Sequence, residues 1–200
     1  GNTIFGTDGS IGFSWFGPFS IDGQNGAGRD GIHVEDSYNA DITENTVASD
    51  FSFFTSYADA TGGDGIYASN IDFGDIRDNA VNSTGGDGID VSNSFWVDVV
   101  GNATAFTGDD GIDMESNVFA TISNNNVFAA GEDGIDVEDS FGVNIDGNTV
   151  LFSDENGIDV RDSAFVTIAD NTASFNGFAG IFVDPSSNIT VSGTTANGNE

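Results

Sequence analysis

A Gly-Ile pair recurs along this chain at almost constant intervals. The pair begins at seven glycines, separated by one step of 34 residues and then by five steps of 23 residues: Gly31, Gly65, Gly88, Gly111, Gly134, Gly157 and Gly180. A fixed period in this range indicates a solenoid, in which each repeat stacks on the next. The longer step equals one 23-residue repeat enlarged by 11 residues, and we assign the insertion to a loop at residues 49–62.

Apolar and polar residues alternate over three short stretches of each repeat. Counted from the glycine, the apolar positions are 2 and 4, 10 and 12, and about 17 and 19, for example Ile158, Val160, Val166, Ile168, Ala173 and Phe175. Alternation with period two is typical of a strand with one buried face, and glycine permits the turn into the first strand. We predict one all-β domain over residues 1–200, a parallel β-helix of about eight coils with three short strands per coil.

Two polar columns support the stacking of these coils. Position 15 is asparagine in six consecutive repeats, namely Asn45, Asn79, Asn102, Asn125, Asn148 and Asn171. Position 7 gives a weaker serine column at Ser37, Ser94, Ser140, Ser163 and Ser186. A column of buried asparagines satisfies its amide groups by hydrogen bonding to the neighbouring coils.

The repeated pattern, Asp-Gly-Ile followed by an apolar residue, a serine, a Val-x-Ile pair and an asparagine, resembles the right-handed parallel β-helix repeat proteins of the pectate-lyase-like group. The resemblance extends from Asn2 to about Ala196. It implies a right-handed solenoid. The group includes polysaccharide lyases, hydrolases and epimerases as well as non-catalytic surface proteins, so the resemblance leaves the function open.

The charge of the chain excludes several kinds of partner. Thirty-three acidic residues against three arginines and no lysine give a net charge of −30. Nucleic acids and anionic membrane surfaces would be repelled, and no apolar run is long enough for membrane insertion. Such acidity suits a saline setting and also supplies oxygen ligands for hard divalent cations such as Ca²⁺.

Acidic residues form two adjoining columns, one just before the glycine and one at position 3 of the repeat. We predict Ca²⁺ ligands where both columns are acidic in three consecutive coils: Asp87, Asp90, Asp110, Asp113, Asp133 and Asp136. Residues 85–93 also resemble one calcium-binding nonapeptide of the RTX type, although RTX repeats recur every nine residues. The alternative interpretation is a merely solvated acidic face. No organic cofactor is expected.

A second candidate site lies around the single histidine of the chain. His33, Tyr67, Asp30 and Asp64 fall in neighbouring coils, close to Arg29 and to the aromatic residues of the insertion. The resemblance implies a sugar-binding groove along the first-strand face, where His and carboxylates move protons.

The known enzymes of the group carry motifs that this chain lacks. It has no lysine to approach a substrate carboxylate and no Gly-His-Gly element, although Asp109-Asp110 is similar to the paired acids of polygalacturonase-type hydrolases. His33 is alternatively an ordinary surface residue.

Aromatic residues gather at two further places in the repeat. They are Phe95, Trp96, Phe119, Phe141 and Phe165 at the first corner, and Phe106, Phe152 and Phe175 near position 19. Stacked aromatics at coil spacing are predicted to belong to the core. If the corner set faces outward, it becomes an interaction stripe.

These observations favour a non-catalytic, structural or adhesive segment of a secreted surface or extracellular-matrix protein, in a marine or saline bacterial setting. The segment is expected to be calcium-loaded and filament-forming, with further coils of the same or identical chains, and glycans, as partners. Neither end resembles a cap, which predicts a segment of a longer chain. The alternative is a polysaccharide-acting β-helix enzyme with its groove on the first-strand face.

Overall fold

The computed structural model describes residues 3–5, 30–38, 40–48 and 63–200. Every element of regular secondary structure in these residues is a β-strand. None of the described ranges forms a helix with the length and apolar character needed to cross a bilayer. The predicted loop at residues 49–62 and Arg29 lie outside the described residues.

The strands form three parallel sheets. The first sheet contains β2 (Ile32–Glu35), β5 (Ile66–Ser69), β8 (Ile89–Ser92), β11 (Ile112–Glu115), β14 (Ile135–Glu138), β17 (Ile158–Arg161) and β20 (Ile181–Val183). The second contains β3 (Asp41–Thr43), β6 (Asp72–Arg77), β9 (Phe95–Val100), β12 (Thr121–Ser123), β15 (Asn144–Asp146), β18 (Thr167–Ala169) and β21 (Thr190–Ser192). The third contains β1 (Thr3–Phe5), β4 (Thr46–Ala48), β7 (Ala80–Asn82), β10 (Ala103–Ala105), β13 (Asn126–Phe128), β16 (Thr149–Leu151) and β19 (Thr172–Ser174).

Successive strands enter different sheets, and each strand pairs with its counterpart in the next coil. In the first sheet Ile112 pairs with Ile135 and Asp113 with Asp136, a register of one repeat. The predicted all-β parallel solenoid is confirmed. The described residues contain six complete coils, β2 to β19, with partial coils at both ends, so the count is somewhat lower than the expected eight.

The interior consists of stacked aliphatic columns. Positions 2 and 4 of the first strand are fully buried, as in Ile112, Met114, Ile135 and Val137. Burying each such side chain contributes about 1.5–3 kcal/mol. Position 3 between them points away from this interior, so the strand pleat places the acidic column on the outer face of the sheet, where Asp136 and Asp159 are nevertheless buried by their neighbours.

The asparagine column predicted at position 15 is present and buried. Asn125 donates from its backbone N to Asn148 Oδ1 at 2.9 Å and from Nδ2 to the Val99 carbonyl oxygen at 2.9 Å. Its own Oδ1 accepts from the backbone N of Asn102 at 2.9 Å. Serine hydroxyls behave similarly at position 7, where Ser140 N donates to Ser163 Oγ at 3.0 Å.

The prediction that the aromatic columns belong to the core is wrong. Trp96, Phe165 and Phe175 are 51%, 54% and 55% exposed. All three have positive φ, between 56° and 62°. This backbone conformation turns the corner of the coil and directs the ring outward, while isoleucine and valine fill the interior.

Candidate functional site

Five aspartates and one asparagine before the repeat glycine form a hydrogen-bonded column, here called the ladder column: Asp30, Asp64, Asp87, Asp110, Asp133 and Asn156. The Oδ1 atom of each accepts the backbone N–H of the next member, at 2.6–3.1 Å. The fold therefore uses one oxygen of each carboxylate and leaves Oδ2 for other partners.

A second column stands beside the first on the outer face of the first sheet. This strand column consists of His33, Tyr67, Asp90, Asp113, Asp136 and Asp159. Side chains of the two columns contact each other where a nitrogen of one column faces a carboxylate of the other. His33 Nδ1 lies 2.7 Å from Asp30 Oδ2, and Asn156 Nδ2 donates to Asp159 Oδ2 at 3.2 Å.

Three groups of carboxylates arise where both columns are acidic. The first cluster is Asp64, Asp87 and Asp90, the second is Asp110, Asp113 and Asp136, and the third is Asp133, Asp136 and Asp159. Within each cluster the candidate ligand oxygens lie within 4.8 Å of one another. All six residues predicted as Ca²⁺ ligands fall in these clusters.

The sequence interpretation missed two members of the clusters. The predicted metal ligands include neither Asp64, which belongs to the candidate enzyme site, nor Asp159. The signal for Asp159 was its place at position 3 of the repeat, one coil beyond Asp136.

The third cluster contains the guanidinium of Arg161. Its Nη2 lies 2.6 Å from Asp136 Oδ2 and 3.6 Å from Asp133 Oδ2, and its Nε lies 3.5 Å from Asp159 Oδ2. Asp133 and Asp159 are each only 3% exposed. A cation on the same chain thus compensates three buried acids.

Burial raises the pKa of the carboxyl groups in the other two clusters far above the usual value. The pKa is about 7 for Asp87 and for Asp90, about 9 for Asp110 and about 8 for Asp113, with neighbouring carboxylates adding to the effect of desolvation. Burial raises the pKa of Asp136 only to about 6, because Arg161 opposes the shift. At neutral pH these values favour the protonated form of Asp110 and Asp113, whereas Asp87 and Asp90 are about half protonated.

Some carboxylate oxygens in the strand column are buried and have no hydrogen-bond partner within the described part of the chain. They are the Oδ1 atoms of Asp90, Asp136 and Asp159. An unpaired buried acceptor costs about 1–3 kcal/mol. These atoms are available to an additional ligand.

The four residues of the candidate enzyme site are close together at the start of the first sheet. His33 lies between Asp30, at 2.7 Å from Nδ1, and Glu35, at 3.3 Å from Nε2. Its ring stacks on that of Tyr67 with centroids 4.6 Å apart. The backbone N of Asp64 donates to Asp30 Oδ1 at 3.1 Å. Sequence reasoning missed Glu35, which lies two residues along the same strand.

Fold and surface together define a parallel β-helix protein whose first sheet displays aligned ionisable side chains. The family model "Periplasmic copper-binding protein (NosD)" matches residues 51–200. The chain belongs to this NosD family, a family of right-handed β-helices. A comparison with the curated proteins gives no significant match.

Solved structures confirm the fold at low sequence identity. The periplasmic alginate epimerase AlgG aligns at 16% identity and a TM-score of 0.70, over 84% of this chain and 47% of that one. The A-module of the mannuronan C-5 epimerase AlgE4 from Azotobacter vinelandii aligns at 12% identity with a TM-score of 0.64, over 84% of this chain and 52% of that one. The Dettilon tailspike protein gp208 aligns at 18% identity with a TM-score of 0.58, over 85% of this chain and 36% of that one. This chain spans about half the length of the two epimerase chains.

Proposed function

We propose that this chain is the β-helix part of a secreted or periplasmic protein that acts on polysaccharide along the outer face of the first sheet. One observation carries the proposal: His33 is held between two carboxylates and stacked on Tyr67, beside a continuous row of acids. The epimerase and tailspike names of the structural neighbours support it.

The site around His33 has the groups that proton-transfer chemistry on a sugar requires. An imidazole oriented by Asp30 and Glu35 is suited to general acid–base work, and the Tyr67 hydroxyl offers a second proton donor. The net charge of −30 disfavours strongly anionic chains, so a neutral glycan is the favoured substrate.

The proposal is tested by incubating the protein with a panel of neutral and acidic polysaccharides. New reducing ends, unsaturated products and deuterium uptake from solvent distinguish hydrolysis, elimination and epimerisation. We expect His33→Gln and Tyr67→Phe each to lower the rate about 100-fold or more. The matched control is Tyr38→Phe, an exposed tyrosine away from the first sheet. Full activity in both site variants would overturn the proposed site.

Copper, the metal in the family name, does not fit the acidic clusters. Copper sites are built from cysteine, methionine and histidine, whereas this chain has no cysteine and one histidine. Its single methionine, Met114, is buried in the interior. The clusters consist of carboxylates, which suit Ca²⁺. We therefore propose Ca²⁺ as the cation of this chain.

A second candidate function is a non-catalytic adhesive or filament-forming role, with glycans or identical chains as partners. It is favoured by the exposed row of rings at the first corner, where Trp96 and Phe119 lie 4.9 Å apart and Phe141 and Phe165 5.0 Å apart. Glycan binding without any product in the assay above, or filaments in electron micrographs, would favour this role.

A further inference from the structure

We propose that the third cluster is a cation site filled by the chain's own Arg161, and that the first and second clusters each bind one divalent cation such as Ca²⁺. The inference rests on the cation binding proposed above and does not depend on polysaccharide activity. The acidic face then binds two ions, and Arg161 keeps a third ion from binding.

The second and third clusters are the same structure one coil apart. Each consists of one ladder-column acid and two consecutive strand-column acids, so that Asp110 corresponds to Asp133 and Asp113 to Asp136. The guanidinium of Arg161 lies among the three acids of the third cluster. The structure thus contains one example of this arrangement with a positive charge in it.

Among the described residues, no arginine lies inside the first two clusters, although Arg161 contacts Asp136 from the third. Arg161 reaches back one coil from the end of its strand, and the residue in the corresponding place for the second cluster is Glu138. Arg77, the other arginine among the described residues, is on the second sheet and pairs with Asp75 and Asp98. When their carboxyl groups are ionised, the first two clusters therefore take their cation from solution.

Asp136 links the occupied cluster to its neighbour. It is 5% exposed and belongs to both the second and the third cluster. Its Oδ2 lies 2.6 Å from the Arg161 guanidinium, while its buried Oδ1 has no hydrogen-bond partner. A cation in the second cluster supplies the interaction that this oxygen lacks.

The spacing of the oxygens is compatible with a single ion in each cluster. Oxygen ligands of Ca²⁺ lie at about 2.3–2.6 Å from the ion, so that two ligands on opposite sides are about 4.6–5.2 Å apart. The candidate oxygens of each cluster lie within 4.8 Å of one another. Three carboxylates supply part of the usual six to eight oxygen ligands, and water supplies others.

The test is the number of Ca²⁺ ions bound per chain, measured by equilibrium dialysis of the chelator-treated full chain at moderate salt. We expect two ions for the unaltered protein and three for Arg161→Gln, which empties the third cluster. Arg161→Lys keeps a positive charge there and should bind two. Asp113→Asn removes a ligand from the second cluster and should leave one.

Two further variants separate a specific site from general electrostatics. Arg77→Gln removes the same charge from the second sheet and should still bind two ions. Adding Asp159→Asn to Arg161→Gln removes a ligand of the opened site and should restore two. Far-ultraviolet circular dichroism establishes that each variant remains folded.

The outcomes distinguish the parts of the inference. Absence of Ca²⁺ binding to the unaltered protein overturns the proposed cation sites. It does not affect the proposed action on polysaccharide, which the polysaccharide assay tests separately. Two ions in both the unaltered protein and a folded Arg161→Gln overturn the role of Arg161. An equal gain in Arg77→Gln also overturns it, because the effect then follows net charge.

Discussion

The carboxyl groups of the outer face are the residues whose behaviour departs most from that of free side chains. Asp113 lies among Asp87, Asp90 and Asp136, all acidic, and burial raises its pKa to about 8. Asp136 has similar surroundings but also Arg161, and its pKa is about 6. One neighbouring guanidinium therefore changes whether an acid in this column is charged at neutral pH.

The raised pKa values predict an unusual pH dependence of stability. Protonation of Asp87, Asp90, Asp110 and Asp113 favours the folded state, fully below the ordinary pKa of 3.8 and progressively less as pH rises through about 7 to 9. In the presence of chelator, we expect the free energy of unfolding to fall by several kcal/mol between about pH 5 and about pH 9, since one pKa unit corresponds to about 1.4 kcal/mol.

Denaturant unfolding at a series of pH values measures this effect. The double variant Asp110→Asn, Asp113→Asn should show a flatter profile, because it lacks the two most strongly shifted groups. A free energy of unfolding that is constant or rises over this range would contradict the pKa assignment.

At the scale of the structural element, the asparagine column connects successive coils. The Asn125 side chain bonds to two backbone groups of the preceding coil, the Val99 carbonyl and the Asn102 N–H, and it donates to Asn148 Oδ1 in the following coil. Glycine at position 1 has a different role from the turn expected from the sequence. A Cβ on Gly111 would lie 2.5 Å from the carbonyl oxygen of Gly134, so glycine is needed there for close packing between coils.

Replacing one member of the column should be costly. Asn125→Ala leaves the backbone N–H of Asn102 and the carbonyl of Val99 without their partners, and we expect a loss of about 3 kcal/mol in the free energy of unfolding. Urea unfolding measures the change. Asn126→Ala is the matched control, because the neighbouring Asn126 is exposed, and it should alter stability by less than about 0.5 kcal/mol. Equal effects of the two substitutions would contradict the role of the column.

At the scale of the whole molecule, the chain has a net charge of −30, and in its described part each strand pairs with the equivalent strands of the adjacent coils. In such a solenoid stability is close to a sum over neighbouring coils. Charge repulsion between coils accumulates in the same way. Monovalent salt screens this repulsion, whereas a bound divalent ion also removes it locally.

Calcium and sodium should therefore differ at equal ionic strength. We expect CaCl₂ to raise the melting temperature of chelator-treated protein more than NaCl does, since an ion bound only by the folded state stabilises it by mass action. Differential scanning calorimetry makes the comparison. Identical shifts with the two salts would show that the acids of the first sheet are merely solvated.

The sequence by itself determined the architecture. The period of 23 residues, the alternation around Ile112 and Ile135, and the asparagines at position 15 indicated parallel coils in register, because such patterns repeat only when equivalent residues stack. The same reasoning placed the six predicted Ca²⁺ ligands in two adjoining columns. It also grouped His33 with Tyr67, which are register partners in the first sheet.

The tertiary structure alone decided which of these groups meet and how deeply they are buried. Arg161 and Asp136 are 25 residues apart, and their ion pair depends on side chains crossing between coils. The outward direction of Trp96 depends on a φ of 56° at the corner, which the residue type does not reveal. Periodicity specifies which residues stack, whereas side-chain direction at corners and contacts between columns depend on the three-dimensional path of the backbone.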